Sequence, residues 1–122
     1  MQAHSVWASF GYAFVGLWYA VRTQRNVRIQ FVIAALVAIL AAWLRVPLRD
    51  GALLALVIGL VIAGELANTA LETVVNLVSP EHHELARIAK DVSAAAVLCL
   101  SLTAAVVGAC VLLPALLERT WG

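Results

Sequence analysis

The sequence predicts an all-α integral membrane protein, with an N-terminal amphipathic surface helix and three transmembrane helices in one membrane domain, residues 1–122. The first reason is composition: 64% of the residues are hydrophobic and 12% are charged, against about 45–50% and 25% in soluble domains. The second is that eight Lys or Arg and seven Asp or Glu residues leave long uncharged runs between them. The apolar content excludes a disordered chain, and a net charge of +1 provides no basic surface for nucleic acids.

Residues 1–28 are predicted to form a helix that lies in the membrane interface. Its large apolar side chains recur at helical spacing and form one stripe, which consists of Trp7, Phe10, Phe14, Leu17, Trp18 and Val21. No Lys or Arg precedes Arg22, so the basic start of a cleaved signal peptide is missing and the mature protein is expected to begin near Met1. Because residues 1–21 carry no charge, a fourth membrane span is the alternative interpretation.

Two uncharged runs locate the first and second membrane helices. The first helix, predicted over residues 29–46, contains sixteen uncharged residues between Arg28 and Arg45. The flanking arginines can extend this run by snorkelling toward the length of about twenty residues that a bilayer requires. The second helix is predicted over residues 51–78 and ends before Pro80, since the residue that precedes a proline avoids helical geometry.

The last third of the chain is predicted to contain a polar link and a third membrane helix. Residues 79–91 contain five charged side chains and are predicted to form a cytoplasmic link. Residues 92–117 contain no charge and are predicted to span the membrane, with a kink near Pro114. Cys99 and Cys110 lie in this apolar run and are expected to be buried free thiols.

The distribution of basic residues predicts the orientation in the membrane. Five Lys or Arg residues lie on one side of the predicted spans and three on the other; the larger set is Arg22, Arg25, Arg28, Arg87 and Lys90. Basic residues are enriched in cytoplasmic loops. We therefore expect a multi-pass protein of the bacterial inner membrane, with a cytoplasmic N-terminus.

The second predicted membrane helix carries an unusual polar face. Glu65, Asn68, Glu72 and Asn76 fall within an arc of about 80° at helical spacing. Carboxylates inside a membrane helix are costly and usually face a protein interior or a functional site. The alternative is an interhelical hydrogen-bond seam, which remains open mainly for Asn68, Thr69 and Thr73.

These residue types fit phosphoryl transfer. One carboxylate can act as a general base toward a hydroxyl group, and another can hold Mg²⁺, which often bridges carboxylates and substrate phosphates. Lys90 precedes the third helix and supplies a cation for phosphates, so positioning, metal and charge are all available. The sequence contains neither a Walker motif nor a kinase Gly-rich loop. On chemistry alone, a proton-coupled or ion-binding membrane protein remains the alternative.

Three stretches of the chain resemble the small prokaryotic diacylglycerol kinase family. They are GELANTALETVVN at 64–76, HELARIAKDVSAAAVL at 83–98 and SFGYAFVGLWYAVRTQRNVRIQ at 9–30. The resemblance implies a homotrimer whose active sites are shared between subunits at the cytoplasmic interface, with ATP and Mg²⁺ from the cytosol and a lipid alcohol from the bilayer. The segment SPEHHELARIAKDV resembles the undecaprenol kinase branch more than the diacylglycerol kinase branch. This resemblance implies undecaprenol rather than diacylglycerol as the acceptor.

The resemblance also implies roles for individual residues. Glu65 would be the general base that takes the proton of the lipid hydroxyl. The metal ligands would be Glu72 and Gln24. The nucleotide contacts would come from Lys90, Asp91, Asn68, Asn76, Glu72, Arg25 and Arg28. The lipid contacts would come from Phe14, Trp18 and Ala94.

Two positions depart from the family pattern. The family usually has Glu where this chain has Gln24, and Asp where it has Asn76. An amide oxygen can still ligate a cation, but it adds no charge, so the metal affinity should fall. The sequence is therefore compatible with an active lipid kinase, and alternatively with a weakly active or non-catalytic membrane homologue that binds lipid or nucleotide.

Overall fold

The computed structural model describes residues 5–121, and all of their regular secondary structure is α-helical. It contains four helices: α1, Val6–Thr23; α2, Arg25–Leu44; α3, Leu48–Val78; and α4, Glu84–Trp121. The last three are each long and apolar enough to cross a membrane, which confirms the predicted helical class and the number of candidate spans. The interfacial position of α1 and the trimer stay predictions, and the first four residues of the predicted surface helix lie outside the described residues.

The chain turns sharply between α1 and α2, so the predicted helix over residues 1–28 is wrong at its C-terminal end. Helix α1 ends at Thr23, and Gln24 is extended, with φ −112° and ψ 113°. The Arg28 guanidinium reaches back and donates from one nitrogen, Nη1, to the carbonyl oxygens of Val21 and Arg22, both at 3.0 Å. These carbonyls lie at a helix C-terminus and need partners from outside the helix. Arg28 therefore supports the break by a contact that helical periodicity does not reveal.

Replacing Arg28 with Met is expected to loosen the last turn of α1. Hydrogen bonds to a charged group contribute about 1.5–3 kcal/mol, and less when exposed. We expect roughly fivefold to tenfold faster backbone amide exchange over residues 20–24 in detergent micelles. Arg25→Met is the matched control, because Arg25 is also an exposed arginine at the start of α2. Equal exchange in the two variants would show that Arg28 does not hold the turn.

The turn between α2 and α3 is set by a left-handed residue followed by proline. Arg45 has φ 54° and ψ 46°, and two backbone bonds close the helix end, from Arg45 N–H to Ala42 O and from Val46 N–H to Ala41 O, both at 3.2 Å. This pattern is the Schellman motif. Helix α3 begins directly after Pro47, three residues earlier than the predicted start at 51, because proline suits the position just before a helix.

The predicted link over residues 79–91 is helical in its second half, since α4 already begins at Glu84. His83 starts the helix: its Nδ1 accepts from the Leu85 N–H at 3.0 Å, and its carbonyl oxygen accepts from the Arg87 N–H at 3.1 Å. Arg87 then pairs with Glu84 at 2.6 Å and with Asp91 at 3.1 Å. Pairs at these spacings stabilise a helix, so the charges that suggested a link instead support a helical turn. Helix α4 also continues through Pro114.

Helices α3 and α4 form the main packed pair. Leu54, Val57 and Val61 of α3 are buried, and Gly64 lies so close to α4 that an added methyl group would meet the Leu100 side chain. At the other end of the bundle, the Arg119 guanidinium lies 4.1 Å from the centre of the Trp43 ring and joins α4 to α2 by a cation–π contact.

Most of the large apolar side chains face outward from this small core. Examples are Trp7, Trp18, Leu36 and Leu77, each of which is 61–83% exposed. An outward apolar surface of this extent suits lipid rather than water. Cys99 and Cys110 are free but exposed, so the expected burial is wrong: a single chain of this length places most positions of α4 on its periphery.

Candidate active site

The centre of the site is a buried carboxylate on α3. Glu65 is only 4% exposed, and Thr69, one turn later, is 7% exposed. The Thr69 hydroxyl donates to the Glu65 carbonyl oxygen at 2.9 Å, and Thr73 donates to the Thr69 carbonyl oxygen at 2.8 Å. Both threonines therefore satisfy their hydroxyls within their own helix and do not form an interhelical seam.

The Glu65 side chain is approached from a second helix. The Gln30 side chain of α2 lies close enough to the Glu65 carboxylate to interact with it, and the Glu72 carboxylate lies near enough to act on it electrostatically. Within the described residues, no buried side-chain nitrogen or oxygen lacks a hydrogen-bond partner. Glu65 is therefore a buried carboxylate between α2 and α3, and the outer surface of these helices is mostly apolar.

A hydrogen-bond chain runs from α4 to Glu72. The Ser93 hydroxyl donates to Asn68 Oδ1 at 2.6 Å, and Asn68 Nδ2 donates to Glu72 Oε1 at 3.2 Å. The three side chains are partly buried. The amide of Asn68 is therefore part of an interhelical seam, as the structural alternative predicted, and it also contacts a candidate metal ligand.

A second contact between the two helices lies at the end of α3. Lys90 Nζ donates to Asn76 Oδ1 at 2.6 Å. Both residues line a polar cavity of about 280 Å³ at the α3–α4 junction, together with Ser79, Pro80, Glu81, His82, His83, Ala86 and Arg87. The hydrogen-bond partner of Lys90 is thus a neutral amide and not a carboxylate.

The remaining predicted polar residues lie outside this hydrogen-bonded set. Asp91 is exposed and pairs with Arg87, and Arg25 is exposed on the first turn of α2. Arg28 holds the end of α1. Gln24 is partly buried at the α1–α2 junction, and its side chain makes no capping hydrogen bond there. In residues 5–121 no recorded hydrogen bond or ion pair joins these four side chains to Asn68, Glu72 or Lys90.

Two of the three predicted lipid-contacting residues share a cavity. Phe14 and Trp18 line an apolar space of about 420 Å³, with Leu17 and Val21 of α1 and Phe31 of α2. Ala94 is exposed on α4, next in sequence to Ser93. The bend at Gln24 creates this cavity, because it folds the apolar stripe of α1 against the start of α2.

The sequence interpretation missed Gln30 and Ser93 as members of the site. A glutamine inside the otherwise apolar run after Arg28 is the signal for Gln30, since a polar amide in a membrane helix needs a partner. Ser93 lies one turn after Lys90 and so shares its helix face. Neither signal identifies the partner, because that depends on how α2 and α4 pack against α3.

Comparisons with known proteins assign the chain to a family. The sequence matches the profile of the family described as prokaryotic diacylglycerol kinase over residues 11–112. The chain belongs to the prokaryotic diacylglycerol kinase family. Among its relatives, a diacylglycerol kinase from Synechocystis sp. is 47% identical over 95% of this chain and 67% of the relative. An undecaprenol kinase from Bacillus subtilis is 34% identical over 88% of both chains, and a diacylglycerol kinase from Escherichia coli is 37% identical over 84% of both.

Family membership confirms the resemblance drawn from the three sequence stretches. It places the chain among prokaryotic lipid kinases and, with three helices able to cross a bilayer, makes it a membrane protein. The alternative of a proton-coupled or ion-binding membrane protein loses its support, because the matched family and relatives are kinases. The matched relatives carry two different acceptor names, so membership alone assigns a class of lipid kinase and not one lipid.

The donor set fits a metal ion that arrives with its substrate. Within residues 5–121, no group of three or more His, Cys, Asp or Glu side chains is close enough to hold a metal unaided. Mg²⁺ commonly takes only one or two protein carboxylates and completes its coordination with phosphates and water. Glu72 is partly buried, and its Oε1 accepts from Asn68, which leaves the other oxygen for a cation. These residues suit Mg²⁺ bound with a nucleotide and do not form a complete protein cage.

Proposed function

We propose that this protein transfers the γ-phosphate of ATP to the hydroxyl group of a membrane lipid alcohol. The observation that carries the proposal is the pairing of a buried carboxylate, Glu65, with a polar face that ends at Lys90, in a member of a lipid kinase family. The carboxylate lies in a helix long enough to cross a bilayer, the phase that holds the lipid acceptor. The cation and polar cavity lie toward the end of the same helix, where a water-soluble substrate can enter.

Glu65 is the general base of the proposed reaction. As the lipid oxygen forms its bond to the γ-phosphorus, the O–H proton passes to the Glu65 carboxylate and the bond from that phosphorus to the β-phosphate oxygen breaks. A positioned base contributes about 10²–10⁴-fold to such a step. The Gln30 side chain lies beside the carboxylate, and the burial of Glu65 limits the access of water as a competing proton acceptor.

Lys90, Asn76 and Glu72 bind the phosphate end of the nucleotide. Lys90 supplies a positive charge for the phosphates, and Asn76 holds its amine at 2.6 Å. Mg²⁺, when bound, neutralises phosphate charge that develops during transfer, and Glu72 with Gln24 would hold it. Asp91, Arg25 and Arg28 are proposed to contact the nucleotide from the periphery, and Phe14, Trp18 and Ala94 to contact the lipid.

The acceptor is a lipid alcohol for which two candidates compete. Diacylglycerol is favoured because the relative with 47% identity is named a diacylglycerol kinase. Undecaprenol is favoured by the sequence of residues 79–92, which resembles the undecaprenol kinase branch. The protein would act as a homotrimer in the bacterial inner membrane, with its N-terminus in the cytoplasm. These assignments follow from the family resemblance and the distribution of basic residues.

A product assay tests the proposed function. Purified protein in lipid–detergent micelles is given Mg-ATP with diacylglycerol, undecaprenol or a long-chain alkanol, and phospholipid products are separated by thin-layer chromatography. We expect one of the first two lipids to be phosphorylated and the alkanol to be a poor substrate. Release of inorganic phosphate without a lipid product from any alcohol would contradict the proposal.

The second candidate function is a weakly active or non-catalytic homologue that binds nucleotide or lipid. It is favoured by the amides at Gln24 and Asn76, where the family usually has carboxylates, because an amide gives a cation no charge. Calorimetric titration with Mg-ATP, combined with the product assay, distinguishes the two functions. ATP binding together with no phosphorylated lipid would support the non-catalytic homologue.

Replacing Gln24 with Glu is expected to raise the affinity for Mg²⁺. A carboxylate adds a full negative charge where the amide adds none, and Mg²⁺ prefers charged oxygen ligands. The half-saturating Mg²⁺ concentration for lipid phosphorylation should fall by roughly threefold to tenfold, as about 1 kcal/mol of added attraction at a partly exposed site would produce. Glu118→Gln at an exposed acidic position near the far end of α4 is the control for general charge effects. An unchanged magnesium dependence would place Gln24 away from the metal.

A further inference from the structure

The Asn68 amide is hydrogen-bonded at both ends, and the order of these bonds can be deduced. An ionised carboxylate only accepts hydrogen bonds, so Glu72 must receive its bond from Asn68 Nδ2, at 3.2 Å. The amide oxygen Oδ1 is then turned toward α4, where it accepts from the Ser93 hydroxyl at 2.6 Å. The carboxylate therefore sets which end of the Asn68 amide faces it, and the Ser93 hydroxyl anchors the opposite end on α4.

The same geometry changes the role expected of Asn68. Both ends of the Asn68 amide are engaged, the oxygen by Ser93 at 2.6 Å and the nitrogen by Glu72 at 3.2 Å, so in this geometry Asn68 acts on Glu72. Its amide group holds one oxygen of Glu72 and leaves the other free. The orientation of the proposed metal ligand thus depends on a residue of another helix.

The two contacts from α4 bracket Glu72 on α3. Asn68 lies four residues before Glu72 and is held by Ser93, and Asn76 lies four residues after it and is held by Lys90. Residues four apart share a helix face, so the carboxylate lies between two points at which α4 is joined to α3. Loss of the Ser93 bond would free one side of this arrangement.

We propose that Ser93 is a positioning residue for divalent-cation binding: its hydroxyl orients the Asn68 amide, which in turn orients the Glu72 carboxylate. The proposal rests on the proposed function, because it assigns Glu72 to the metal. Without the hydroxyl, the Asn68 amide can rotate, and Glu72 loses a fixed donor. Groups that orient metal ligands typically change metal affinity by about tenfold or more when they are removed.

The test measures Mn²⁺ binding by electron paramagnetic resonance, with a non-hydrolysable ATP analogue and no lipid turnover. Ser93→Ala is expected to weaken Mn²⁺ binding by roughly tenfold, Ser93→Cys by less, and Ser93→Thr by under twofold, since threonine keeps the hydroxyl. Ser101→Ala is the matched control, a partly buried serine two turns further along α4, and should leave the affinity unchanged. Equal affinities in the alanine and threonine variants of Ser93 would overturn the proposal.

A double-mutant cycle tests whether Ser93 acts through Asn68. In an Asn68→Ala background, the additional change Ser93→Ala should weaken Mn²⁺ binding no further, because the link is already gone. Additive losses would overturn the proposed route. A wild-type protein that phosphorylates no lipid, but whose Mn²⁺ affinity falls in Ser93→Ala, would refute the kinase function and support the positioning role. If Mn²⁺ binding were unchanged in Ser93→Ala and in Glu72→Gln while the protein phosphorylated lipid, the kinase function would be supported and the positioning role refuted.

Discussion

Replacing Glu65 with Gln is expected to abolish lipid phosphorylation while leaving nucleotide binding intact. Glutamine has nearly the same shape as glutamate, so the tightly enclosed position, only 4% exposed in the native protein, should still pack. It cannot accept the proton of the lipid hydroxyl, and loss of a general base typically lowers turnover by about 10²–10⁴-fold. The phosphate-binding pair Lys90 and Asn76 lies near the end of α3 and is unaffected by the change.

Two measurements on the same preparation establish this role. Turnover is followed by the formation of phosphorylated lipid, and nucleotide affinity by calorimetry with Mg-ATP. Glu118→Gln is the control, because Glu118 is an exposed carboxylate near the far end of α4, and it should retain full activity. If the Glu65 variant kept more than about a tenth of the turnover, the lipid hydroxyl would lose its proton elsewhere, since removal of a general base costs far more.

The helices were predictable from the sequence because charges are scarce and their spacing is informative. The uncharged runs between Arg28 and Arg45 and after Asp91 each identified a helix that the structure contains. The ends of the helices were less predictable. The break at Gln24 depends on Arg28 reaching back to the carbonyls of α1, and the early start of α4 depends on His83. Both are side-chain contacts with backbone groups, which periodicity does not encode.

The site was predictable wherever its residues share one helix. Helical spacing alone placed Glu65, Asn68, Glu72 and Asn76 on one face of α3, and the structure joins two of them directly. The contributions of Gln30 and Ser93 were not predictable, because each comes from another helix. The family resemblance implies a nucleotide contact for Asn68, which stays a prediction, and the structure adds that its amide is hydrogen-bonded to Ser93 and Glu72.

Replacing Glu72 with Gln is expected to raise the half-saturating Mg²⁺ concentration by about tenfold to a hundredfold, and to lower turnover at any fixed metal concentration. The amide can still accept the bond that Asn68 donates to Glu72 Oε1, so the change removes the charge and keeps the contact. Mg²⁺ binds through very few protein carboxylates when a nucleotide supplies the other ligands. Loss of one carboxylate should therefore remove a large share of the protein's contribution to metal affinity.

The charge and the geometry of Glu72 can be separated by a second variant. Glu72→Asp keeps the charge but shortens the side chain, so it should retain part of the magnesium affinity. The measurement is a magnesium titration of lipid phosphorylation for each variant, repeated as Mn²⁺ binding without turnover. High Mg²⁺ should restore much of the turnover of Glu72→Gln but none of that of Glu65→Gln, because added metal replaces lost affinity and cannot replace a missing base. Identical magnesium responses in the two variants would contradict the division of labour between the two carboxylates.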